Sequence, residues 1–342
     1  MQKILDRKIK FALMGCSRIS KNHIQALNSL GKDCELIAAC DNNPEALKQY
    51  TEDYNITGYT SLSEMLRNVS ADLIIVTTPN GLHAENTIDS LRAGFNVITE
   101  KPMATNLEDA RKMIKVSEET SKTLFVVKQL RYQGRIRALK TAIDEGRLGK
   151  IFTCNVNVFW SRPQSYFNES PWRGTKDMDG GIFLNQASHH FDLLYWLLGP
   201  VQTVYSLTKK LQRDIEVEDT GSVLLEFVSD TIASINVSIL TYPANIESSI
   251  TILGEKGTVK IGGKSLNEVQ VELFQDNEKL TSLSEEKLDA LGKHEDFYNA
   301  VVDSFRDGKL RTVDGKEAFQ SLEIIMAAYK ASEDRTPITL QY

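Results

Sequence analysis

No apolar run in the 342 residues reaches the roughly 20 needed to cross a bilayer, so a spanning segment is not expected. The opening Met1–Lys8 lacks the apolar stretch of a secretory signal. Cysteine is scarce: Cys16, Cys34, Cys40 and Cys154 make no Cys-x-x-Cys pair and no disulfide-framework spacing. Three of them lie in or beside apolar strand-like runs, so buried, reduced thiols in a cytoplasmic protein are expected. An excess of positive charge is also missing. A net charge of -6 and a pI near 5.6 argue against broad contact with nucleic acid or an anionic membrane, both of which need a basic face. A local basic pocket for a small anion stays open. There is no internal repeat and no low-complexity linker, and no metal is expected.

What is present suits two domains. With 41% hydrophobic and 25% charged residues, 342 residues exceed one comfortable core. In the first third, Phe11–Met14, Leu36–Cys40, Leu73–Thr78, Asn96–Glu100 and Leu124–Val127 read as strands. Asn22–Leu30, Pro44–Tyr54, His83–Ala93 and Leu107–Glu119 read as the helices between them. This alternation predicts βαβ units, and so an α/β Rossmann domain with a doubly wound parallel sheet over residues 1–128. Beyond residue 128 the rhythm changes to long alternating stretches: Phe152–Trp160, Val204–Leu211, Ser222–Phe227, Ile232–Leu240, Ser248–Leu253 and Thr258–Ile261. Helices are expected at Ile136–Glu145, Asn185–Leu198, His294–Arg306 and Gly315–Ala331. Short connections predict hairpins, so 129–342 reads as an α+β domain with a large, open, mostly antiparallel sheet. That β-rich face is a natural association surface, and a homodimer or homotetramer is expected.

The first strand runs into Gly15-Cys16-Ser17-Arg18-Ile19-Ser20-Lys21-Asn22-His23. In a Gly-x-Gly-x-x-Gly loop, backbone amides at a helix N-terminus meet a pyrophosphate. Here Gly15 is kept, while Ser17 and Ser20 stand in the second and third glycine places. Alone, the loop is equally an ordinary strand–helix turn. Asp41 adds to it, closing the second strand where the acid for an adenosine ribose diol belongs. No arginine follows at 42 or 43, which favours NAD over NADP. Thr77-Thr78-Pro79-Asn80 ends the most apolar strand and should line the same crevice. The expected cofactor contacts are Gly15, Ser17, Arg18, Ile19, Asp41, Thr78, Pro79, Asn80 and His83, joined by Glu100 and Lys101 after the next strand.

Glu100-Lys101-Pro102 and the stretch Gly180-Gly181-Ile182-Phe183-Leu184-Asn185-Gln186-Ala187-Ser188-His189-His190-Phe191-Asp192 resemble the two signatures of the Gfo/Idh/MocA oxidoreductases. The resemblance covers essentially the whole chain and implies hydride transfer with chemistry at Lys101 and His189. Elementary chemistry agrees, because removing a hydride from a carbinol carbon requires the hydroxyl proton to leave as well. A histidine suits that work, and a lysine can hydrogen-bond the same oxygen or serve as the base. The choice between them stays open. His190 is expected to be structural. Many family members carry Asp where this chain has Asn185, so the usual Lys–Asp–His set is incomplete and Asn185 is expected to orient a substrate hydroxyl.

Trp160–Gln164, Ser170–Thr175 and Asn185–His189 look like the branch of that family acting on UDP-N-acetylglucosaminuronate-type nucleotide sugars. That branch oxidises the sugar C3 hydroxyl with NAD during bacterial surface-polysaccharide synthesis, and its NADH is often reoxidised in place by a 2-oxoacid. Such a substrate carries a pyrophosphate and a carboxylate, so its pocket needs cations. Gln129, Arg131, Arg162 and Arg173 are the candidates, with Tyr166 and Trp172 to stack on sugar or uracil. The plain alternative for the Arg and aromatic set is a solvated connection. Competing readings are another sugar or inositol dehydrogenase of the family, an NAD-dependent glycosidase with Tyr166 as an extra acid or base, and a non-catalytic NAD-binding regulator. Retention of both Lys101 and His189 counts against the last.

Overall fold

The computed structural model describes residues 3–281, 283, 284, 288 and 294–341. Its first sheet holds six strands: β1 (Ile9–Met14), β2 (Cys34–Cys40), β3 (Thr57–Tyr59), β4 (Leu73–Val76), β5 (Asn96–Thr99) and β6 (Leu124–Val126). Their order is β3-β2-β1-β4-β5-β6, and every pairing is parallel. Parallel strands need crossovers, supplied here by α1 (Ser20–Ser29), α2 (Pro44–Tyr54), α3 (Leu62–Asn68), α4 (His83–Arg92) and α5 (Leu107–Thr120). Several starts are written locally: Asn43, Ser61 and Asn106 accept the first free backbone amides of α2, α3 and α5. Helices on both faces leave no solvated side to β4, whose four residues are all buried. The strand order reverses between β1 and β4, the kind of switch point at whose carboxyl ends open α/β sheets bind ligands. Thr77, Thr78 and Glu100 lie just past the strands that were expected to include them. The short β3 and α3 carry too little periodicity to be read from sequence.

The second sheet has eight strands: β7 (Ile151–Phe159), β8 (Val201–Lys209), β9 (Thr220–Phe227), β10 (Ile232–Ser238), β11 (Glu247–Gly254), β12 (Gly257–Gly262), β13 (Glu268–Phe274) and β14 (Ile338–Thr339). Its order is β13-β12-β11-β7-β10-β9-β8-β14. The β9–β10 and β11–β12 hairpins are as read from their short connections, whereas β7 and β10 pair in parallel. Cys154, Val156 and Val158 alternate into the core from β7, as a one-sided strand requires. With this sheet go α6 (Gly134–Asp144), α7 (Gln164–Asn168), α8 (Ile182–Asn185) and α9 (Ser188–Leu198). One helix was expected from Asn185 to Leu198; instead α8 ends at Asn185 and the chain starts again at Ser188.

Two longer helices follow, α10 (His294–Asp307) and α11 (Gly315–Asp334). Compact units do not follow a single cut after residue 128: Met1–Gln129 and Gly292–Phe319 form one, Leu130–Leu291 and Gln320–Tyr342 the other. The cause is the buried face of α10, where Tyr298 meets Phe11 edge-on at 5.7 Å and Phe305 meets Phe125 at 6.0 Å. Among the described residues no helix is long and apolar enough to cross a membrane.

Candidate active site

In the first unit the loop after β1 turns at Gly15, whose φ of +101° suits glycine. A Cβ there would lie 2.9 Å from the carbonyl carbon and oxygen of Thr77, so β4's end and the glycine turn touch backbone to backbone. Thr77 Oγ1 closes the contact by donating to the Gly15 carbonyl at 2.7 Å. Ser20 explains how the loop manages without its third glycine. Its hydroxyl donates to the Ser17 carbonyl at 2.7 Å, and Tyr50 from α2 donates to the same carbonyl at 2.8 Å. Ser17 Oγ is buried with no hydrogen-bond partner among the described residues. Ile19 offers no side-chain cap to α1, and its carbonyl accepts the Asn22 amide at 3.0 Å, so the first turn closes on backbone alone. Arg18 lies in the same turn, one residue before it. Asp41, just past β2, accepts from the Cys16 amide at 2.7 Å and the Asn43 amide at 2.8 Å, which fixes its carboxylate at the loop's edge. These features fit a dinucleotide: a backbone approach that only glycine permits, a helix N-terminus without a side-chain cap, and an acid at the end of β2.

Thr78, Pro79 and Asn80 follow β4, with Asn80 buried at the head of a short 3-10 turn. Asn86 donates to Thr78 Oγ1 at 3.1 Å and steadies that turn. His83 is buried, with Nε2 2.8 Å from the Thr78 carbonyl and Nδ1 2.7 Å from the Pro102 carbonyl. Burial lowers its pKa, and a neutral imidazole has one N–H, so it donates to one of the two carbonyls and lies against the other. Glu100 is held from several sides. Its carboxylate is buried, with Oε1 2.9 Å from His23 Nε2 and 3.4 Å from His294 Nε2, while Oε2 accepts the Lys101 amide at 3.0 Å. It therefore sets the backbone from which Lys101 projects. Burial alone would push this carboxyl up; hydrogen bonds from the two histidines outweigh it and hold the carboxyl well below the usual range. The donor atoms of His23, Glu100 and His294 all lie within 4.8 Å of one another, close enough for a metal ion, but in this structure they bond to each other. Gln129 ends this unit with its side-chain oxygen buried and unpartnered among the described residues.

In the second unit the buried Arg131 clasps Asp192 through Nε and Nη2 at 2.7 and 2.9 Å, which ties it to α9. Arg173 donates to the Tyr166 carbonyl at 2.7 Å, pairs with Glu169 at 2.5 Å and lies 4.2 Å over the Tyr166 ring. It locks its own loop. Arg162 lies between Trp160 and Tyr166, 5.1 and 5.4 Å from their ring centres, and donates to Asn245 at 3.2 Å. The Tyr166 ring is thus engaged by guanidinium groups, and Trp172 flanks Arg173 at 6.0 Å.

His189 lies in the first turn of α9 and Asn185 closes α8. Sequence reasoning missed the carboxylate beside them. Asp179 is buried, accepts the Gly174 amide at 2.7 Å and accepts the Asn185 side-chain amide in a short hydrogen bond. The carboxylate missing at position 185 therefore stands one hydrogen bond away. Its signal was available, since Asp179 directly precedes the Gly180-Gly181 turn. Gly181 has φ +104° and faces Glu218 and Tyr329, leaving no room for a side chain. Glu218 accepts the Phe183 amide at 3.2 Å and the Tyr329 hydroxyl at 2.7 Å. His190 donates to or accepts from Ser248 at 2.8 Å, and burial lowers it to about 4, which makes it a neutral packing group.

Residues 9–128 match the oxidoreductase family's NAD-binding Rossmann fold, and residues 140–340 match its C-terminal alpha/beta domain. The chain is similar to the WlbA dehydrogenase of Chromobacterium violaceum, solved with NADH and UDP-GlcNAcA: 46% identity, TM-score 0.95, covering 100% of this chain and 98% of that one. It is equally close to the Bordetella pertussis WlbA dehydrogenase, solved with the same two ligands, at 44% identity and TM-score 0.95 over 99% of each chain. An inositol 2-dehydrogenase of Rhizobium meliloti is 29% identical over 73% of this chain and 74% of its own length. With both domains matched in order, the chain belongs to the Gfo/Idh/MocA family of NAD-dependent oxidoreductases.

Proposed function

We propose that this enzyme oxidises the C3 hydroxyl of a UDP-N-acetylglucosaminuronate-type nucleotide sugar to the 3-keto sugar. The observation that carries the reading is its likeness, over the whole chain, to two dehydrogenases solved with NADH and UDP-GlcNAcA. NAD, held by the Gly15–Ile19 turn and Asp41, supplies the hydride acceptor. The protein's own task is the proton: the hydroxyl O–H must break as the C–H bond gives up its electron pair. Lys101 and His189 are the groups for that work, with Asn185 orienting the sugar and Gln129, Arg162, Tyr166 and Trp172 as further substrate contacts. The product belongs to surface-polysaccharide assembly in the cytoplasm, and the working form is a homo-oligomer joined through the exposed face of the eight-stranded sheet.

The test is turnover of UDP-N-acetylglucosaminuronic acid with NAD and 2-oxoglutarate, following NADH absorbance and 2-hydroxyglutarate together. Lys101→Ala and His189→Ala should each lower kcat by about 100-fold or more, the usual worth of a positioned acid or base. Wild-type protein that binds NAD but turns over only free sugars or inositols would refute the nucleotide-sugar assignment. The likeness to the inositol dehydrogenase makes those the first alternatives to try.

A further inference from the structure

His23 closes the phosphate-loop segment of the sequence. It is fully buried on α1, as is Tyr298 on α10. Tyr298 Oη lies 2.7 Å from His23 Nδ1, and His23 Nε2 lies 2.9 Å from Glu100 Oε1. Chemistry fixes the direction of both bonds. An ionised carboxylate only accepts, so Nε2 carries the hydrogen, and Nδ1 is left to accept from the tyrosine hydroxyl. The groups' own acidities agree: burial holds His23 below its ordinary pKa and therefore neutral, and burial with the nearby Glu100 charge keeps Tyr298 protonated. The other carboxylate oxygen takes the Lys101 amide. His294 on α10 supplies a second, longer contact to Oε1, and His83 and Lys101 are the remaining titratable groups whose charge acts across Glu100 or beside it.

We propose that Tyr298 and His23 are positioning residues that act through Glu100: a one-way chain of hydrogen bonds, Tyr298 to His23 to Glu100, locks the carboxylate that holds the Lys101 backbone amide. The inference rests on Lys101 being a catalytic residue of the proposed reaction. It also gives α1 two duties. Its N-terminal end follows the cofactor loop, while three residues into the helix its buried face grips the turn that carries Lys101.

The experiment compares Tyr298→Phe, His23→Leu and His23→Gln with wild type. It reads kcat, KM for NAD and for the sugar, the pH profile of kcat, and amide exchange of the segment around Lys101. Tyr298→Phe and His23→Leu should lower kcat tenfold or more and change KM for NAD less than threefold. Glutamine can donate to Glu100 and accept from Tyr298, so His23→Gln should recover at least part of the lost kcat. Tyr298→Phe frees Nδ1 to take a proton, so the acid limb of its profile should move to higher pH. Exchange of the Lys101 amide should quicken tenfold in the first two variants, with β4 unchanged. Folded variants with wild-type kcat, a loss confined to KM, or unchanged exchange at Lys101 would each overturn the proposal. If wild type shows no turnover of the nucleotide sugar, the proposed function fails by itself, and the exchange measurement still decides this inference.

Discussion

Glu218 gives the sharpest test of the second unit's electrostatics, because two effects oppose each other on one carboxyl. Its partners, the Phe183 amide and the Tyr329 hydroxyl, are donors and favour the anion. Burial disfavours the anion, and burial wins, pushing Glu218 up to about 7 from the ordinary 4.5. A carboxyl with a raised pKa takes up a proton on folding, so its contribution to stability is complete below 4.5 and is lost as pH climbs through about 7. The total is about 3 kcal/mol, of which roughly 2.5 kcal/mol falls between pH 5 and pH 8. His190 acts in the opposite sense. Held neutral and lowered to about 4, it destabilises the fold as pH drops below the ordinary 6.5, so the wild-type curve alone is ambiguous. Glu218→Gln isolates the term, since the amide keeps an acceptor for both donors and does not titrate. Urea unfolding of both proteins from pH 5 to 8 should show the stability of the variant, relative to wild type, rising by roughly 2.5 kcal/mol across the range. A difference that stays flat, or that falls with pH, would mean that the donors outweigh burial and would refute the reasoning.

Two further predictions test the framework on either side of the chemistry. Gly15→Ala puts a methyl group 2.9 Å from the Thr77 carbonyl at a φ of +101°, so NAD affinity measured by fluorescence titration should fall tenfold or more, with a lower Tm. Asp192→Asn removes the charge of Arg131's bidentate partner and should cost roughly 3–5 kcal/mol in chemical denaturation, with a drop in kcat that follows the loss of folded protein. Replacing both residues by apolar groups of similar volume should recover much of that stability, which the single substitution cannot do.

The Rossmann unit was legible because central strands such as β4 are buried throughout and read as continuous apolar runs between helical stretches. The second unit's hairpins were legible from alternation and short turns. The parallel pairing of β7 with β10 was not, because 72 residues separate Ile232 on β10 from Trp160, just past β7, and no local signal chooses a partner at that distance. The motif residues were found by chemistry, but their partners were not. An arginine near a loop gives no hint of the carboxylate 61 or 4 positions away that pairs with it, as Asp192 does with Arg131 and Glu169 with Arg173. Likewise, nothing at His23 announces Tyr298, which comes 275 residues later.

Two of the three departures from the motif patterns, Ser20 and Asn185, are met by polar groups outside the motif. Ser20 sits where a glycine would let α1 approach β1, and it is fully buried, so its hydroxyl needs a partner. It finds the Ser17 carbonyl, with the Tyr50 hydroxyl 2.9 Å away and in reach of the same carbonyl, so the loop is tied to α1 and α2. Asn185 stands where an aspartate would supply charge, and it hydrogen-bonds the buried carboxylate of Asp179. In both places the loop keeps the physical property that the motif residue encodes, tight approach in one case and a nearby negative charge in the other. A motif read only as letters would score three losses, Ser17, Ser20 and Asn185. Read as properties, it keeps a tight turn and a carboxylate, which is why the departures do not weaken the assignment to an active oxidoreductase.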